Sequence, residues 1–199
     1  DFDPEGRDVV FVPVALNYDR VLEDRFLIKA EKTGVRRFRP PLFTVLWGTT
    51  QYLGARLVGR MTTFGTASVG FGKPLSLKAF ATDNDGATQA LAGELMTRIA
   101  GVVPAVPVPL VCRAILAGAK TEEDILSKIE KDLGDLPSTT RRPQRGAADL
   151  AADGLAVLRR RKLIAGDLVI APVSGEEAVL EYYAASIAHH FAAGSSGEA

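Results

Sequence analysis

From Val9 to Leu16 the chain is apolar and rich in β-branched residues, broken only by Pro13; then Asn17, Tyr18, Asp19 and Arg20 arrive in succession. An apolar run of this length predicts a strand buried on both faces, as in a parallel sheet flanked by helices. Pro13 cannot donate a ladder hydrogen bond, which predicts an edge strand or a bulge there. Ligands of open α/β sheets sit beyond the carboxyl ends of strands. Asn17, Tyr18, Asp19 and Arg20 fall at that end and are the candidate substrate-binding cluster. The plainer alternative is a polar loop capping a helix that starts near Asp19.

Further on, the pattern alternates between helical spacing and short apolar runs. Residues 42–61 carry apolar positions at three- and four-residue spacing, predicting a helix interrupted near Gly48. Ala67 to Phe71 reads as a short strand stopped by Gly72-Lys73-Pro74. Leu91, Leu95, Ile99 and Val102 share one face of a helix over 88–103. The Pro-rich run from Val102 to Leu110 predicts an extended connector leading into a buried helix over 110–117. From Lys120 the pattern changes. Thr121-Glu122-Glu123-Asp124 predicts a helix start, with Ile125, Ile129 and Leu133 inward. A loop over 134–145 follows, then a helix over 147–161 with Leu150, Leu155 and Leu158 inward. Two short strands around Gly166-Asp167, a helix over 176–191 and a frayed tail over 194–199 complete the chain.

Composition narrows the class. A hydrophobic fraction of 47% excludes general disorder. A lone cysteine, Cys112, excludes an intrachain disulfide and fits a reducing compartment. No stretch reaches the roughly 20 apolar residues that span a bilayer. The acidic opening, Asp1 to Asp8 without a Met, reads as the start of a fragment. Net charge is zero, yet Arg25, Lys29, Lys32, Arg36, Arg37, Arg39, Arg56 and Arg60 stand against Glu31 alone. Interleaved with Phe38, Phe43, Trp47 and Tyr52, this stretch suits a membrane interface; an ordinary solvated helix with a core Trp fits equally.

Other chemistry is sparse. Residues 120–172 have the helix, helix, hairpin outline of a winged-helix module, with Arg159, Arg160, Arg161 and Lys162 placed for phosphate contacts. Neutral charge, few aromatics and the acidic preceding helix favour a packing unit over a nucleic-acid binder. His189 and His190 point about 100° apart on a helix, a poor metal pair, and read as surface residues. Cys112 reads as a core thiol. The glycines at 65, 70 and 72 lack the strand-loop-helix context of a nucleotide loop.

Four segments together carry a resemblance. VVFVPVALNYDRVLED at 9–24 resembles the fourth acyltransferase motif of bacterial membrane-bound glycerol-3-phosphate acyltransferases. ASVGFGKPLSL at 67–77, VPAVPVPLVCRAILAG at 103–118 and EEAVLEYYAASIAHHF at 176–191 are similar to later segments of that family, in the same order. The family's reaction is carried by a His-x-x-x-x-Asp motif, in which the Asp polarises a His that acts as general base. No His here has an Asp five residues on, and Glu5-Gly6-Arg7 only echoes the family's phosphate-binding motif.

The resemblance therefore implies the C-terminal portion of a glycerol-3-phosphate 1-O-acyltransferase, with no catalytic residue and no metal ligand of its own. Residues 1–80 would end an acyltransferase α/β domain, and 81–199 would form a mainly helical domain with a winged-helix-like core over 120–172. No cofactor is implied. The implied partners are acyl-CoA or acyl carrier protein, glycerol 3-phosphate and an anionic membrane surface, at the cytoplasmic face of the bacterial inner membrane. Arg20 would meet a phosphate, and Arg36, Arg37 and Arg39 would meet lipid headgroups or the carrier protein. A winged-helix nucleic-acid or partner-binding module is the alternative.

Overall fold

The computed structural model describes residues 6–34, 65–84, 88–140 and 142–192. The opening apolar run splits at Pro13 into β1 (Val10–Phe11) and β2 (Val14–Tyr18). β2 pairs antiparallel with β3 (Ala67–Phe71), from Val14 opposite Phe71 to Tyr18 opposite Ala67. β1 pairs with β4 (Leu75–Ser76), Phe11 opposite Leu75. Between these ladders residues 12–13 face residues 72–74, one residue more on the returning strand. The Gly72 amide donates to the Pro13 carbonyl at 2.8 Å. Pro13 thus sits at a bulge, as its missing donor predicts.

The expected parallel sheet is not found. Among the described residues every strand pairing is antiparallel, in three two-stranded ribbons. β2 is also not buried on both faces; its residues alternate between exposed and buried. Periodicity misled here because both faces are apolar: Ala15 points inward, Val14 and Leu16 outward.

Helix α1 (Asp24–Thr33) follows β2 and ends at Gly34 in the left-handed region, φ 69°. After the ribbon come α2 (Leu77–Asn84), which the sequence pattern did not announce, and α3 (Thr88–Gly101). The predicted helix over 42–61 and the tail over 194–199 lie outside the described residues.

Helix α4 (Pro107–Leu116) is the centre of the molecule, starting three residues earlier than expected. Its residues from Pro107 to Cys112 are all buried. It packs against α5 (Glu122–Asp135), α6 (Ala147–Arg160) and α7 (Glu177–Ala188). Thr121 and Asp124 form the capping box that begins α5. β5 (Ile164–Ala165) and β6 (Ala171–Pro172) make the predicted short ribbon between α6 and α7. The hydrophobic core runs from Ala105 to Ile187, and Val21 and Ile28 pack on it from the N-terminal side. All the fully buried members of this core come from 81–199, and α1 leans on it from outside through Ile28. Cys112 lies fully buried in it, and burial raises its thiol pKa.

Contact between α4 and α6 depends on Gly154. A Cβ there would lie 2.6 Å from Val111 Cγ2 and 2.9 Å from the Pro107 carbonyl oxygen. Gly93, on the open side of α3, would meet nothing within 4 Å. The two positions separate crowding from helix propensity. Gly93→Ala is expected to stabilise the protein by about 0.5–1 kcal/mol. Gly154→Val is expected to destabilise it by about 1–3 kcal/mol, because the carbonyl cannot move aside. Urea unfolding of both variants measures the difference.

Candidate functional site

The first turn of α4 explains where Asp19 goes. A helix start leaves its first amides without partners. Pro107 and Pro109 have no amide hydrogen, and the Leu110 amide reaches the Val106 carbonyl. Only the Val108 amide remains, and the N-cap residue Val106 has no side chain to cap it. Asp19, just past the end of β2, supplies the acceptor: its Oδ1 receives the Val108 amide at 2.7 Å. Its Oδ2 receives the Thr66 amide at 2.6 Å, and its own amide donates to the Thr66 carbonyl at 2.9 Å. The helix dipole favours a carboxylate at this end.

Burial raises the Asp19 pKa, against the lowering effect of the two amides it accepts. The carboxylate borders a cavity of about 230 Å³ lined also by Gly65, Thr66, Asp153, Ala156, Val157 and Arg160. Gly65 is required beside it. Its φ is 90°, and a Cβ would lie 2.6 Å from the Asp19 Cβ.

Asn17 points to the same side of β2 as Asp19 and is likewise buried. Its amide donates to the Pro104 carbonyl at 2.9 Å and to the Ser186 hydroxyl at 3.3 Å. Tyr18 is exposed on the opposite face of the ribbon, and Arg20 is half-buried. The four predicted residues therefore do not converge on one pocket. Two of them anchor the ribbon to α4 and α7, and one faces away. Arg36, Arg37 and Arg39 lie outside the described residues.

A second polar cluster went unnoticed in the sequence. Asp24, buried at the start of α1, accepts the Tyr183 hydroxyl at 2.6 Å and Arg161 Nη2 at 2.5 Å. The Tyr183 oxygen accepts the Val21 amide at 2.9 Å and Arg161 Nη1 at 3.0 Å. Burial first, then the bond to Asp24, push the Tyr183 pKa up to about 12. The signal was present in part: Arg161 stood out in a basic run, and Tyr183 in the C-terminal segment. Nothing in the pattern joined them to Asp24, more than a hundred residues earlier.

The basic run is thereby divided. Arg161 is half-buried in that cluster, Arg159 pairs with Glu122 at 2.8 Å, and Arg160 borders the Asp19 cavity. The residues do not present one phosphate-binding row.

His189 is exposed, as expected; His190 is not. The His190 ring is buried, with Nε2 2.9 Å from the Val103 carbonyl and Nδ1 3.4 Å from the Thr140 hydroxyl. A carbonyl only accepts, so Nε2 carries the hydrogen. The correction has a simple cause: the chain folds residues 103 and 140 over the end of α7. No His/Cys/Asp/Glu group able to hold a metal occurs among the described residues. No helix among them is long and apolar enough to cross a membrane.

Two measurements check this account. Asp24→Ala removes the carboxylate that pairs with the half-buried Arg161 guanidinium and is expected to cost about 1–3 kcal/mol of stability. Asp24→Ala with Arg161→Met is expected to cost less, since no charge is stranded. Burial sets the His190 pKa below its ordinary 6.5, with the Val103 carbonyl opposing it and the His189 charge adding a smaller push in the same direction. The unfolded chain then takes the proton first, so the His190 contribution is complete above pH 6.5 and lost as pH falls below it. Unfolding at pH 7.5 and 5.5 is expected to show this drop, and His190→Gln to shrink it.

The chain matches the family model described as glycerol-3-phosphate acyltransferase C-terminal region over residues 50–198. No curated protein matches it. By a match covering most of its length, the chain belongs to the glycerol-3-phosphate acyltransferase C-terminal region family.

Proposed function

We propose that this chain is the C-terminal portion of a glycerol-3-phosphate 1-O-acyltransferase, supporting acyl transfer without performing it. One observation carries the reading: the four segments that resemble the family meet one another. The strand of 9–24 pairs with 67–77. Asn17 and Asp19 bond to 103–118 at Pro104 and Val108, and Asn17 and Val21 bond to Ser186 and Tyr183 in 176–191. Segments dispersed along the chain form one network, as parts of one working unit do.

Within this reading Asn17 and Asp19 position the end of β2, and Arg20 meets the phosphate of glycerol 3-phosphate. The acyl donor is acyl-CoA or acyl carrier protein. Arg36, Arg37 and Arg39 contact anionic lipid or the carrier, which holds the enzyme peripherally at the cytoplasmic face of the bacterial inner membrane. The winged-helix-like segment over 120–172 serves as packing. The division of Arg159, Arg160 and Arg161 among separate partners disfavours the nucleic-acid alternative.

The chain alone is expected to transfer no acyl group from either donor to glycerol 3-phosphate. Joined to the coding sequence upstream of Asp1, it is expected to do so, with a His-x-x-x-x-Asp motif in the added part. Turnover by the 199-residue chain alone would falsify the supporting role.

A further inference from the structure

The segment between β2 and α1, residues 19–23, is held at two points, and Arg20 lies between them. On one side the Asp19 carboxylate takes the Val108 and Thr66 amides. On the other the Val21 amide donates to the Tyr183 hydroxyl oxygen at 2.9 Å. The first hold joins the segment to α4, and the second joins it to α7, 162 residues further along the chain. Both neighbours of Arg20 are thus fixed by partners outside their own turn. That sets the backbone direction from which the Arg20 guanidinium departs, as the gripping of a small ligand requires.

The second hold depends on where the Tyr183 hydroxyl sends its hydrogen. A hydroxyl has one donor and two lone pairs. The Asp24 carboxylate, paired with Arg161, accepts the hydrogen at 2.6 Å. The lone pairs are then left for the Val21 amide and for Arg161 Nη1, 3.0 Å away. Arg161 Nη2 reaches Asp24 as well, so side chains from α1, the end of α6 and α7 together fix this oxygen. Tyr183 is 2% exposed. A buried hydroxyl is satisfied by a single partner, whereas this one has every site filled, and one of its partners is the amide next to Arg20.

We propose that Tyr183 is a positioning residue for the phosphate of glycerol 3-phosphate, acting through the Val21 amide on Arg20. The proposal rests on the acyltransferase reading above, with Arg20 as the phosphate contact. Tyr183 is buried and acts without meeting substrate. The phosphate is the end of glycerol 3-phosphate remote from the reacting sn-1 hydroxyl. Loosening the grip on it therefore weakens the bound substrate and the transition state alike, which raises KM and spares kcat.

Tyr183→Phe removes the acceptor and keeps the ring. In the full-length enzyme it is expected to raise KM for glycerol 3-phosphate roughly fivefold or more, leaving kcat and the KM for the acyl donor within about twofold of wild type. Arg20→Ala is expected to raise the same KM, and the double variant to be no worse than Arg20→Ala alone. Ile129→Val, in the buried core on α5, controls for lost stability and is expected to leave all three constants as in wild type. In the 199-residue chain the Val21 amide is expected to exchange faster in Tyr183→Phe than in wild type. An unchanged KM for glycerol 3-phosphate in Tyr183→Phe overturns the proposal. So does a multiplied effect in the double variant, which would put the influence of Tyr183 somewhere other than Arg20. Equal losses in Ile129→Val, or a matching change in kcat and in the acyl-donor KM, reduce Tyr183 to general stability and overturn it too. Unaltered Val21 exchange overturns the hold itself, and an unaltered KM in Arg20→Ala overturns the phosphate contact through which it acts. A full-length wild type without acyl transfer refutes the acyltransferase reading, an outcome separate from Val21 exchange, which is read on the chain alone.

Discussion

Helix α4 runs through the middle of the molecule, and its Pro-Val-Pro start leaves one amide that its own turn cannot satisfy. Burying that amide unpaired would cost about 1–3 kcal/mol. Asp19 removes the cost, and in doing so fixes the end of β2 against the start of the central helix. Its second oxygen holds Thr66, so the same carboxylate also closes the ladder between β2 and β3. Asn17 adds the link to α7 through Ser186. The Asp24, Tyr183 and Arg161 cluster repeats the device one turn of chain later, tying α1 to the far end of the core. Buried polar groups thus set the orientation of elements whose apolar surfaces alone would pack in several ways.

This arrangement changes the meaning of the polar residues that follow the opening strand. Their position beyond a strand end suggested a ligand site, and a strand end is where ligands bind when the sheet is open and parallel. The ribbon is antiparallel and two-stranded among the described residues, and the α4 terminus meets the end of β2 beside the Asp19 cavity. Asn17 and Asp19 meet backbone there. A buried carboxylate with a raised pKa elsewhere suggests an acid-base catalyst. At Asp19 two amides account for both oxygens, and the shift records desolvation at a structural joint.

Local features were legible in the sequence. The Thr121 cap, the apolar stripe of Ile125 and Ile129, the break at Pro13 and the short ribbon over 163–172 all express rules that act within a few residues. What failed depended on distant partners. The outward apolar face of β2 looked like burial within a parallel sheet. The Pro-rich run looked like a connector, because its one amide finds an acceptor 89 residues away. His190 looked exposed because residues 103 and 140 cover it. The functional reading was legible at the level of family, through segments whose mutual contacts only the folded chain displays.

The ribbon and α7 also impose an order in time. Asn17 leaves the ribosome 169 residues before Ser186, its partner on α7. At about 5–20 residues per second, the opening strand waits on the order of ten seconds or more before that partner exists. β3 becomes available to pair with it much earlier, yet throughout the interval the ribbon lacks its tie to α7. The joint at Asp19 therefore matters for biogenesis as well as for shape. Until α4 has formed, the ladder with β3 alone holds the strand, and its inner face has no core to rest on.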